Sequence, residues 1–117
     1  MDTHEAEGSA LAAISNAMVA LKKQYYGRGP ERAKTYINDD YVFCVLEGGL
    51  TRSEETLLEA GEEDLVRRYR HRYQEVIADA STGAVESALG RRVLTYHSQI
   101  LFRPTRAFEI FVLEPQT

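Results

Sequence analysis

The sequence predicts an α+β domain in the order α-ββ-α-α-ββ, with two hairpins forming an antiparallel sheet and helices packed on one face. Three observations carry this. An apolar stripe at helical spacing opens the chain, two pairs of strand-forming runs each contain a turn signal, and a charged helical region separates them. A length of 117 residues fits a single domain. The expected division is a flexible tail over 1–8 and one domain over 9–117.

Ser9 is the expected N-cap of the first helix, which runs to about Tyr26. Leu11, Ile14, Met18, Leu21 and Tyr25 recur at steps of three and four and make one apolar face. Lys22 and Lys23 fall in the last turns, where cations favour the helix dipole. Gly27 and the Gly29-Pro30 pair stop the helix.

AKTYIN and YVFCVLEG then read as strands joined by a turn at Asp39-Asp40. The near-continuous apolar run from Tyr41 to Leu46 predicts a strand covered on both faces, by helices on one side and a partner subunit on the other. Thr51 with Glu54 has the capping-box spacing and opens a short helix that ends before Gly61. A long helix is expected from about Glu62 to Leu89, with an inward stripe of Val66, Tyr69, Tyr73, Val76, Ile77, Ala80 and Ala84. Gly90 closes it. RRVLTYHS and RAFEIFVLE form the last hairpin, linked by QILFRPT. Phe108, Ile110 and Val112 share one face there, opposite Glu109, Phe111 and Leu113.

Composition narrows the function classes. A formal charge of −4 and a pI near 5.4 argue against general affinity for nucleic acid or anionic lipid. The single cysteine, Cys44, allows no intrachain disulfide, fits a reducing compartment, and reads as a small buried hydrophobe. The acidic start does not resemble a signal peptide, and no run approaches the roughly 20 apolar residues of a membrane span. A cytoplasmic protein, at most peripheral to a membrane through a partner, is expected.

Two segments offer candidate binding sites. In GRGPERAK, Arg28, Gly29, Arg32 and Lys34 combine exposed backbone N–H groups with cations, which suits an anion or nucleotide. The segment reads first as a helix stop, and it lies between helix and strand, the reverse of a phosphate loop. Ile100, Leu101 and Phe102 are three large apolar residues in the expected loop, which must fold back onto the core or meet a partner.

Other motifs read as structural. RRYRHRY is expected to be a solvated face with Arg67 and Arg68 paired to Glu63 and Asp64, while Tyr69 and Tyr73 turn inward. His97 points away from Tyr96 and Ser98 on a strand, so these three do not converge. His4 lies in the tail and His71 on the charged helix. No zinc spacing is present, and no catalytic, metal or cofactor residue is assigned.

The chain resembles the MpsC-like family over about Ala10 to Pro115. The resemblance rests on GRGPERAKTYINDDYVFCVLEGGLT, the Glu54–Leu57–Gly61 spacing, GRRV, Ser98 and the ending FEIFVLEP. It implies a soluble accessory component of a Na+-translocating, membrane-potential-generating system whose transport is done by separate membrane subunits. One departure stands out. Relatives typically carry a polar Pro-Asp loop before the last strand, whereas this chain has Ile100 to Thr105 without that acid.

The resulting expectation is a non-enzymatic accessory or regulatory protein, a homodimer, engaging other proteins and a membrane transporter subunit. It inserts into no membrane and binds no nucleic acid. The alternative is a small-ligand module holding an anion or nucleotide.

Overall fold

A computed structural model describes residues 3–116, with side chains from residue 6. Its elements are α1 (Thr3–Tyr26), β1 (Arg32–Asn38), β2 (Tyr41–Glu47), α2 (Arg52–Glu59), α3 (Glu63–Val76), α4 (Ala78–Leu89), β3 (Val93–Leu101) and β4 (Arg106–Leu113). The strands form one antiparallel sheet in the order β1-β2-β4-β3. The expected α+β class and the helices on one face are both present.

Register explains the layering. Thr35, Cys44, Glu109 and Ser98 stand in one row across the four strands and point toward the helices. Ile14 and Met18 of α1 and Val85 of α4 pack there on Val42, Cys44, Leu46, Phe111 and Leu113. Leu50, Val66, Ile100 and Phe102 make a second cluster beneath α2 and α3. Burial pushes the Cys44 thiol up, so it remains a neutral apolar group, as its neighbours predicted.

The first hairpin turn and the α2 cap act as read. Asp39, with φ of 53°, turns the first hairpin, and Arg91 holds that turn through the Asp39 carbonyl and the Asp40 carboxylate. Thr51 and Glu54 complete the reciprocal capping box. Gly49 is required in place: its φ is +86°, and a Cβ there would come within 3.0 Å of Pro30 Cα.

Several expectations are corrected. α1 starts at Thr3, six residues ahead of Ser9; residues 1 and 2 of the expected tail and the side chain of His4 lie outside the described residues. The long helix expected over 62–89 is two helices, broken at Ile77. The break lets α3 face the second cluster and β3 while α4 turns its Ser81 and Val85 toward α1 and the sheet.

The buried line along these helices is Val66, Arg70, Gln74, Ile77, Ser81 and Val85, at steps of three and four. Tyr69 and Val76 of the expected stripe are exposed instead. Tyr73 packs edge-on with Tyr25 and Tyr69 with Tyr26 at the seam between α1 and α3, where the Tyr73 hydroxyl donates to the Tyr25 carbonyl at 2.9 Å. Lys22 does not cap α1 either; it is buried at the sheet.

Candidate functional site

A chain of polar side chains runs through the interior between helices and sheet. Lys22 Nζ lies 2.5 Å from Glu109 Oε1, and neither atom has a hydrogen-bond partner beyond that ion pair. Glu109 Oε2 accepts from the Tyr96 hydroxyl at 2.6 Å, and that hydroxyl lies 3.0 Å from Gln74 Oε1. Gln74 Nε2 donates to the Tyr26 hydroxyl at 2.8 Å. The Arg70 guanidinium sits 3.9 Å from the centre of the Tyr26 ring and donates twice to Glu54, at 2.6 Å each.

Electrostatics follow from this arrangement. Burial lowers the Lys22 ammonium against the opposing pull of Glu109. Burial also raises the Tyr26 and Tyr96 phenols, which stay protonated and able to donate. The chain is satisfied almost throughout by its own members, the arrangement expected of a structural network that fixes a unique core.

Among the described residues, no helix packs on the opposite face of the sheet. Tyr36, Phe43, Ile110 and His97 form one outward row, and Lys34, Val45, Phe108 and Gln99 form the next. Phe43 and Phe108 stack at 5.8 Å, and Tyr36 lies 6.4 Å from Phe43. Tyr36 is 50% exposed and Tyr41 57%. Large apolar groups so arranged mark an interaction surface more often than isolated exposed ones do.

The candidate anion residues do not converge. Arg28 donates to the Leu50 carbonyl at 3.1 Å and pairs with Glu55, while Arg32 pairs with Glu47 on the sheet edge. Lys34 lies over the Tyr36 ring on the outward face. Gly29 is packed against Val19 and Lys23 of α1.

Ile100 and Leu101 are the last residues of β3 rather than loop, paired with Ala107 and Arg106. Ile100 and Phe102 are only 9% and 6% exposed in the second cluster, which decides for burial at those two positions. Leu101 is 46% exposed and shares its outward row with Arg106, Glu47 and Arg32.

The basic run divides in a way spacing alone did not predict. Arg67 takes both Glu63 and Asp64, at 2.9 and 3.3 Å, and Arg70 is buried. Arg68 has no ion-pair partner among the described residues. The buried line could have been read from the step of four joining Val66, Arg70 and Gln74, but the aromatic weight of Tyr69 and Tyr73 masked it. Glu109 carried its own signal, since it shares a face with Phe111 and Leu113.

A family model described as Na+-translocating membrane potential-generating system (MpsC) matches residues 6–115. The chain belongs to the MpsC family. No match was found among curated proteins or among solved structures. The MpsC match spans all eight elements in whole or in large part, so the polar chain and the open sheet face both lie within the family domain. No helix among the described residues is long and apolar enough to cross a membrane.

Proposed function

We propose that this chain is a non-enzymatic accessory or regulatory component of a Na+-translocating, membrane-potential-generating system, acting by protein–protein contact. It works in the cytoplasm and reaches the membrane through a transporter subunit. The observation that carries this reading is the helix-free sheet face around Phe43, Phe108 and Tyr36. The family description supplies the system. The interior ionisable groups support the non-enzymatic part, because Glu54, Arg70, Lys22 and Glu109 are committed to one another.

A second copy of the chain can cover the open face, since sheets pack face to face at about 10 Å through interdigitated apolar side chains. The proposed arrangement is a homodimer. Sedimentation at micromolar concentration tests it, and a monomer mass removes the second copy as the occupant.

The accessory role is tested by capture from detergent-solubilised membranes of the native host, read by mass spectrometry. The wild-type chain is expected to recover a membrane transporter subunit, and a Phe43→Ser/Phe108→Ser variant that keeps its circular dichroism is expected to lose it. Equal recovery by both eliminates the sheet face; recovery of no transporter subunit by either eliminates the role.

A further inference from the structure

β3 lies at the end of the sheet and, among the described residues, pairs with β4 on one side only. An end strand presents unpaired N–H and C=O groups on alternate residues, a ready template for another strand. Sheet proteins commonly cover such an edge, yet this one borders a groove. Two adjoining depressions of about 300 and 580 Å³ lie between α3 and β3 and share His71, Gln74, Ser98 and Gln99.

The strand side of the groove is the continuous run Tyr96 to Ile100 of β3, with Ala107 of β4 beside Ile100. Tyr96 and Ser98 point to the helix side of the sheet, while His97 and Gln99 point to the other. Residues of opposite orientation can line one groove only where it follows the backbone edge between them. Those four residues offer roughly 13 Å of edge at about 3.3 Å per residue.

The helix side is cationic. Arg67 and Arg68 supply its charge, with Arg70 beneath, and His71 lines it 3.9 Å from Glu75 toward the α4 end. Arg67 and Arg70 are already paired, whereas Arg68 is exposed and has no ion-pair partner among the described residues. This basic wall stands on a chain of net charge −4, so it is a local feature.

We infer that the α3–β3 groove binds an extended acidic peptide segment of another protein, which adds as a fifth strand to β3 and directs carboxylates to Arg68 and His71. Main-chain hydrogen bonds to the edge supply the docking, and the basic wall selects acidic sequences, as in other strand-addition sites. This surface meets the open sheet face at His97 and Gln99 but does not use its aromatic residues Tyr36, Phe43 and Phe108.

The test uses fluorescein-labelled octapeptides of alternating valine and glutamate, of alternating valine and lysine, and an acidic version N-methylated at alternate residues. Anisotropy is expected to detect the acidic peptide with at least tenfold preference over the lysine peptide, and N-methylation on the pairing side should abolish binding. Arg68→Glu, an exposed substitution, is expected to weaken binding about tenfold while leaving the melting temperature unchanged. Hydrogen exchange should slow at amides within Tyr96–Gln99. No binding at millimolar peptide, indifference to Arg68→Glu or to N-methylation, protection elsewhere, or tighter binding of a single-stranded oligonucleotide overturns the inference.

Discussion

Glu54 and Arg70 are joined by two charge-assisted hydrogen bonds of 2.6 Å in the interior, while the same Glu54 accepts from the Thr51 backbone at 2.9 Å to close the α2 capping box. One carboxylate therefore fixes both the start of α2 and the position of α3. Arg70 extends the tie to the Gly49 carbonyl at 3.1 Å, anchoring the bend that follows β2.

Removing one member of this pair leaves the other buried and uncompensated, a loss of about 3–5 kcal/mol. Glu54→Ala also deletes a cap contact worth about 1 kcal/mol, so it is expected to exceed Arg70→Met in cost. Urea denaturation gives both values. Equal losses, or a loss under about 1 kcal/mol for either, would contradict the shared role.

Acid sensitivity should follow from the same residue. Burial opposes ionisation of Glu54, but hydrogen bonds from Arg70 and the Thr51 backbone outweigh it and hold the carboxyl below its ordinary 4.5. A depressed folded pKa means the unfolded chain binds more protons in that window, so stability rises with pH there. Its contribution is complete above about 4.5 and is lost as pH falls through the folded value. Melting curves across pH should therefore show a steeper acid limb for wild type than for Glu54→Gln; parallel limbs would refute this.

Lys22 and Glu109 form a second buried pair, closed by Tyr96. Lys22→Met and Glu109→Gln should each destabilise the fold, by about 3 kcal/mol or more for the first. The double variant is expected to be more stable than Lys22→Met, because it leaves no lone buried charge. A double-mutant cycle with additive losses would show that the two residues do not act as a pair.

The end of the second hairpin separates packing from surface. Phe102 sits against Leu50 and Val66, so Phe102→Ala should cost about 3–5 kcal/mol. Leu101 points outward, and Leu101→Ser should stay within about 0.5 kcal/mol. Thermal unfolding of the two variants decides this; comparable losses would place Leu101 in the core.

The start of α2, the turns and the strand faces were legible because each depends on neighbours close in sequence. Asp39-Asp40, the Thr51–Glu54 box, Gly90 and the alternation from Phe108 to Leu113 were all readable in that way. The order of the strands was not, since either hairpin edge can pair with the other. Nor was the break at Ile77, where no glycine or proline stands.

The candidate sites show the same division. Arg28, Arg32 and Lys34 are close in sequence, yet pairing to Leu50, Glu55 and Glu47 and packing on Tyr36 send them to different surroundings. Ile100 to Phe102 are legible as apolar residues needing cover, but only the pairing of Ile100 and Leu101 on β4 and the packing of Phe102 on Leu50 and Val66 decide that two are buried and one exposed. By itself the sequence determined the α+β class, the hairpins and the α2 capping box, through contacts within a few residues. Only the tertiary structure decided that Lys22 would be buried and which partners Arg70, Gln74 and Glu109 would meet, because the cost of burying each is offset by a group distant along the chain.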